Sequence, residues 1–250
     1  MRIVIVTAPH MIFAPMVLTP LVRQRAAEIA GVVLISPPAG ALARGVIQQA
    51  GLRYFLAKSL DHLSTRLSTR LNSEYAAIRT LVQDLGIRCI ETQNVNSAET
   101  LRQIRSLEPE VVLSAFAPQI FKRELIGLAS QACINVHPSL LPKYAGVAPV
   151  FWCLANGEDE TGVTIHHIAA KVDAGDVFLQ ATVPIAAADT VRVLYTRVCR
   201  EAARLLLEAF DRIEAGRIVY QKQDLETRSR FGNPTRDAYR RLRARGRRLF

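Results

Sequence analysis

Long apolar runs, paired cysteines and a glycine-rich first turn are all missing from this sequence, and each absence removes a class of function. No stretch approaches the run of about 18 apolar residues that a membrane-crossing helix requires. The four cysteines, Cys89, Cys133, Cys153 and Cys199, are scattered and form no C-x-x-C pair. Neither a disulfide framework nor a metal site is therefore expected, and reduced, buried thiols in a cytoplasmic location fit best. After the first apolar run the chain reads Thr7-Ala8-Pro9-His10-Met11-Ile12-Phe13, with no G-x-G-x-x-G, which disfavours a nicotinamide-dependent dehydrogenase. Pro9, His10 and Pro15 break that run and no A-x-A-like site closes it, so Ile3 to Val6 reads as a first buried strand rather than a signal peptide.

Positive charge is present but local. The formal charge is +10, yet the stretch from Arg228 to Phe250 holds nine arginines against the single acid Asp237 and accounts for eight of those charges. The rest of the chain is close to neutral, and with half its residues hydrophobic and 22% charged it has the composition of an ordinary globular enzyme. A solvated helix face is the simplest reading of the basic tail. Attraction of a phosphorylated acceptor comes next, because arginine pairs with phosphate through two hydrogen bonds. An RNA-binding module is the third reading. It is weakened by sparse aromatic interleaving, with only Phe231, Tyr239 and Phe250 in the tail.

Strand-like and helix-like segments alternate, which predicts an α/β fold with a mostly parallel sheet and helices on both faces. Strands are expected at Ile3 to Val6, Gly31 to Ile35, Arg88 to Ile90, Glu110 to Ser114 and Ala132 to Val136. Helices are expected at Pro15 to Ala30, Ala98 to Ser106 and Ala148 to Asn156. Gly162 to Ile168 and Val177 to Val183 read as two strands flanking Asp173. Thr190 to Ala215 is an amphipathic helix with Thr190 near its cap and Gly216 as its stop. Residues 40–85 form a helical, Arg/Leu-rich insertion that either caps a site or builds a homodimer, and His62 within it reads as surface. A short basic C-terminal helix, packed through Tyr239, Leu242 and Leu249, completes the chain. The domain reading is 1–185 for a catalytic unit and 186–250 for a helix and basic extension packed on it.

The residues most suggestive of chemistry are Asn135 and His137, in Ile134-Asn135-Val136-His137-Pro138, with Asp173 downstream in Val172-Asp173-Ala174-Gly175-Asp176. Two apart on a strand, Asn135 and His137 share one side, and Pro138 ends the strand at its carboxyl end, where open α/β sheets bind ligands. An amide that can hold an oxyanion, an imidazole that can donate and a carboxylate that can take a proton are the groups needed to transfer an acyl group to an amine. Taken singly, Asn135 is a strand-end turn former, His137 a partly buried histidine and Asp173 to Asp176 a turn. Together they read as catalytic. His166 and His167 alternate on a strand, and packing is the favoured role for His166, with a place near the site as the alternative.

The stretch from Cys133 to Gln180 resembles the folate-dependent formyltransferases, which include glycinamide ribonucleotide formyltransferase, methionyl-tRNA formyltransferase and the nucleotide-sugar N-formyltransferases. The resemblance is carried by Asn135-Val136-His137-Pro138-Ser139-Leu140-Leu141-Pro142, by Tyr144-Ala145-Gly146-Val147-Ala148-Pro149, by Asn156 to Ile165 and by Asp173-Ala174-Gly175-Asp176. A weaker likeness runs back through Leu113 to Ile120 to Met1, leaving 40–85 poorly matched. The resemblance implies a Rossmann-like formyltransferase fold, 10-formyltetrahydrofolate as co-substrate, no metal, and Asn135, His137 and Asp173 as catalytic residues. It implies folate contacts from Ala117, Pro118, Gln119, Ile120 and Phe121, and from the loop holding Ala169, Ala170, Lys171 and Val172. His10, Ser139, Lys143, Tyr144 and Gly146 would line the acceptor side.

The loop after the first strand lacks the Gly/Ser/Asn-rich phosphate site expected of the purine-pathway branch. The tRNA branch fits the motifs best but normally adds a C-terminal β-barrel, whereas only about 35 residues follow Gly216 here. The expected acceptor is therefore a small amine, above all an amino sugar linked to a nucleotide. The alternatives are a methionyl-tRNA formyltransferase-like enzyme without the barrel, a hydrolase releasing formate from the same folate, a catalytically dead scaffold, and the RNA-binding module above.

Overall fold

The computed structural model describes residues 1–9, 11–36 and 78–250. His10 and most of the insertion expected at 40–85 lie outside these described residues. A seven-stranded sheet organises the rest. Five parallel strands, β1 (Ile3–Thr7), β2 (Ile29–Ile35), β3 (Cys89–Thr92), β4 (Val111–Ala115) and β5 (Ala132–His137), lie in the order β3-β2-β1-β4-β5. The antiparallel strands β7 (Glu160–His167) and β8 (Val177–Pro184) extend the sheet beyond β5.

The sequence of β1, IVIVT, explains its central place. Every residue is buried, as a strand covered on both faces requires. Alternation then divides it between two cores. Ile3 and Ile5 join the face covered by α1 (Ala14–Gln24), α5 (Pro149–Asn156) and α6 (Val191–Glu214). Val4 and Val6 join the face that holds Ile104 of α3 (Ala98–Arg105) and Leu125 of the short helix α4 (Arg123–Ile126). The end of the insertion appears as helix α2 (Ile78–Asp84), whose Ile78 and Val82 reach the first core.

Helix α6 behaves as its pattern dictates. The Thr190 hydroxyl accepts the Val193 amide at 3.2 Å, a side-chain cap on one of the orphan first-turn donors. Leu194, Val198, Ala202, Leu205, Ala209 and Ile213 then return every three to four residues to the buried face.

The expected first helix is shorter than its apolar pattern suggests. It ends at Gln24, a 3₁₀ turn follows at Ala26–Glu28, and β2 begins at Ile29 rather than Gly31. Arg25 is the cause. Its buried guanidinium bonds Glu28, Asp211 at 2.6 Å and Glu214 at 2.9 Å, tying the turn to the end of α6.

The tail forms helix α7 (Arg236–Ala244), capped by Thr235 and seated through Ala238 and Leu242. It lies against α5, where Arg241 stacks over the Trp152 ring and Arg245 donates to the Ala155 carbonyl. Just before it, β9 (Arg230–Phe231) pairs in parallel with the two-residue strand β6 (Ala145–Gly146). Part of the basic charge is thus used inside the fold. Cys133, Cys153 and Cys199 are buried free thiols and Cys89 is half-buried. Burial pushes the Cys133 and Cys153 thiols up to about 12.

Candidate active site

Strand β5 ends in Asn135-Val136-His137, and β7 runs antiparallel beside it with His166 directly opposite Asn135. The loop after β7 returns Asp173 over the same end of the sheet. Four polar side chains meet there. His137 Nδ1 lies 3.7 Å from Asp173 Oδ2, His166 Nε2 lies 3.7 Å from Asp173 Oδ1, and Asn135 Nδ2 lies 3.1 Å from His166 Nε2.

Carbonyl partners fix the imidazole protons. His166 Nδ1 is 2.8 Å from the His167 carbonyl, which can only accept, so Nδ1 carries the proton and Nε2 presents its lone pair to the Asn135 amide. His137 Nε2 donates to the Tyr144 carbonyl at 2.9 Å, leaving Nδ1 as the nitrogen that faces the carboxylate. Asn135 keeps one amide hydrogen and its carbonyl oxygen for other partners. Burial, and behind it the neighbouring His137, push His166 down to about 4. It is a neutral acceptor that orients Asn135.

The sign of that shift predicts a stability effect. A histidine whose folded pKa lies below its unfolded value near 6.5 leaves the unfolded chain binding more protons in the interval between. The stabilisation is present above pH ~6.5 and is lost as pH falls toward about 4. Thermal melts of the parent are expected to weaken over that interval, and those of His166→Gln to weaken less. Identical acid limbs in the two proteins would contradict a buried neutral His166.

Asp173 is held from several sides. Its Oδ2 accepts the Gly146 amide at 2.7 Å, and its backbone sits at φ +49°, a left-handed conformation uncommon outside glycine, asparagine and aspartate. Gly146, at φ +97°, lies against Phe231, whose carbonyl oxygen would be 2.2 Å from an added Cβ. Gly175 is tighter still, since a Cβ there would lie 1.9 Å from the His167 carbonyl oxygen. The glycine in Asp173-Ala174-Gly175-Asp176 is therefore required by a close backbone approach, a reason its turn-like sequence does not reveal.

The acceptor-side expectations change. Ser139 is fully buried and its hydroxyl donates to the Lys143 carbonyl at 2.9 Å, so it braces the loop instead of lining an acceptor pocket. The Tyr144 ring stacks on Phe231 with centroids 5.2 Å apart, and its hydroxyl donates to Glu158. What Tyr144 offers the site is its carbonyl, and what Gly146 offers is its amide. Lys143 is exposed. Thr164, not singled out from sequence, ties this loop to β7 by donating to the Ser139 carbonyl and accepting the Leu141 amide.

The folate-side expectations narrow too. Gln119 turns inward to the Val95 amide and the Gln93 carbonyl, Asn96 donates to the Ile120 carbonyl, and the Phe121 ring is core. Ala117 is half-buried and Pro118 is exposed, with the exposed Ile120 side chain beside them. In the second loop Arg228 already occupies the Val172 carbonyl. Ala169, Ala170 and Lys171 keep part of their surface open. His166, for which the sequence favours packing over a place near the site, is the residue that the structure adds to the cluster. Its register opposite Asn135 brings it there.

The family model described as formyl transferase matches residues 1–210. A methionyl-tRNA formyltransferase from Citrifermentans bemidjiense is 37% identical over 147 residues, 59% of this chain and 46% of that protein. The chain thus spans under half the length of this curated relative. Among solved structures, an N-formyltransferase from Helicobacter canadensis, in complex with folinic acid and dTDP-3-aminofucose, is 20% identical with a TM-score of 0.63 over 93% of this chain and 71% of that one. Glycinamide ribonucleotide transformylase 1 from Symbiobacterium toebii is 19% identical with a TM-score of 0.62, covering 89% of this chain and 94% of that one. These two likenesses concern the fold. With an Asn/His/Asp cluster at the carboxyl end of β5 and a family match across most of its length, the chain belongs to the formyl transferase family.

Proposed function

We propose that this protein transfers a formyl group from 10-formyltetrahydrofolate to the primary amine of a small acceptor, with a nucleotide-linked amino sugar as the preferred class. The observation that carries the reading is the convergence of Asn135, His137, His166 and Asp173 within hydrogen-bonding or near-contact distance of one another. The folate derivative supplies an activated formyl carbon. The remaining Asn135 amide hydrogen, held in direction by His166, would donate to the formyl oxygen as charge builds on it. A preorganised donor of this kind contributes about 10²- to 10³-fold. Asp173 would accept the proton released as the amine nitrogen bonds to the formyl carbon, and His137 Nδ1, facing the same carboxylate, would share it until it passes to N10 of the folate as the carbon–N10 bond breaks and tetrahydrofolate leaves.

The residues fit a folate on one further count. Ala117 and Pro118 in one loop and Ala169, Ala170 and Lys171 in the loop that carries Asp173 keep surface open, and main-chain groups there would suit the amide-like edge of a pterin. The amino-sugar reading is supported by the fold likeness to the Helicobacter enzyme bound to dTDP-3-aminofucose. Formyl transfer to methionyl-tRNA is the second reading, favoured by the 37% identity to a methionyl-tRNA formyltransferase.

Incubation with 10-formyltetrahydrofolate and either a panel of nucleotide-linked amino sugars or charged initiator tRNA tests both readings. Mass spectrometry should find one formyl group added to a member of the sugar panel. Transfer to the tRNA alone would select the second reading, and transfer to neither would remove both.

A further inference from the structure

The segment that follows α6 does more than connect it to α7. It passes over the loop carrying Asp173 and is fixed by backbone at both ends. At one end Gln221 exchanges two backbone hydrogen bonds with Val177, at 2.7 and 2.8 Å. At the other, Phe231 pairs with Gly146, whose amide holds the Asp173 carboxylate.

Between these anchors two side chains reach down to the loop backbone. The Gln223 amide donates to the Asp173 carbonyl at 3.2 Å and to the Gly175 carbonyl at 2.6 Å. The Arg228 guanidinium donates to the Val172 carbonyl at 2.6 Å. The Ser229 hydroxyl accepts the Tyr144 amide at 2.8 Å, adjoining the carbonyl that receives His137. Nearly every bond goes to the main chain beside a site residue.

We propose that residues 221–231 form a strap that positions the Asp173 carboxylate, with Gln223 and Arg228 as its positioning residues. The idea rests on the formyl-transfer reading for its kinetic consequence, though its mechanical part stands alone. Asp173 occupies a left-handed backbone conformation that costs energy and persists only where the surroundings over-determine it. The strap supplies that constraint at the carbonyls of residues 172, 173 and 175, while Gly146 supplies it at the side chain. Neither grip is tuned for stability alone. Gln223 Oε1 and Arg228 Nε are buried without a hydrogen-bond partner among the described residues, so replacing either side chain removes an unsatisfied group as well as a bond.

The test compares Gln223→Leu, Arg228→Ala and Arg228→Lys with the parent. A displacement of about 1 Å at a reacting group can cost about 10²-fold in rate. Gln223→Leu and Arg228→Ala are expected to lower kcat by about 10- to 100-fold, with KM for the amine within about threefold and Tm within a few degrees. Arg228→Lys, which keeps one donor for the Val172 carbonyl, should recover most of the rate. Amide hydrogen exchange should quicken at Ala174 and Asp176 and stay unchanged across β1, β4 and β5. A kcat within about twofold of the parent, or exchange that quickens throughout the sheet, would overturn the strap. If the parent transfers no formyl group, the functional reading falls. Exchange then decides the strap by itself, since loosening confined to the loop supports it and unaltered loop exchange refutes it.

Discussion

Asp173→Asn is expected to lower kcat by about 10²- to 10⁴-fold while leaving the fold and both KM values near those of the parent. Asparagine keeps what holds the residue in place. Its side-chain oxygen can still accept the Gly146 amide, and it tolerates the left-handed backbone at φ +49° as readily as aspartate. What it loses is the ability to accept a proton from the attacking amine or to share one with His137 Nδ1, 3.7 Å away. Rate and structure should therefore separate cleanly. Steady-state kinetics on the amine, alongside a thermal melt, checks this. A variant retaining more than a tenth of the parental kcat would remove Asp173 from the role of proton acceptor.

Gly175→Ala should be nearly as damaging through geometry alone. The added methyl group would sit 1.9 Å from the His167 carbonyl oxygen, a distance that no side-chain motion can relieve because both partners are backbone. That oxygen also receives the His166 Nδ1 proton. One methyl would thus disturb the loop of Asp173 and the tautomer of His166, and through His166 the direction of the Asn135 amide. A fall in kcat of about 10²-fold or more is expected, with destabilisation of about 1–3 kcal/mol from the forced backbone shift. Urea unfolding and kinetics measured together decide it. Parental values in both would mean the loop can relax away from His167 without consequence.

Much of this architecture is legible in the residues. The runs Ile3 to Val6 and Val111 to Leu113 announce buried parallel strands by their lack of polar positions, and α6 shows its apolar stripe and both end signals. Asn135 and His137 share a strand face for the elementary reason that side chains alternate. The remainder is hidden for equally physical causes. His166 looks like packing because nothing local says that β7 lies antiparallel to β5 with His166 opposite Asn135. Ser139 and Tyr144 sit within a motif, but the loop curls so that their side chains point inward and it is the Tyr144 carbonyl that meets His137. Gln223 and Arg228 bond to carbonyls, and a main-chain partner leaves no mark on the sequence at either end. Arg25 ends α1 early through partners far along the chain, which no periodicity reports.

Because Asn135, His137, His166 and Asp173 all come from β5, β7 and the loop that follows, the proposed chemistry draws on one flank of the sheet. Strands β1, β2 and β3 contribute none of these four side chains. The pairing of β5 with β7 is then the contact on which the proposed centre depends, since a slip of one residue would turn His166 to the other face of the sheet, away from Asn135.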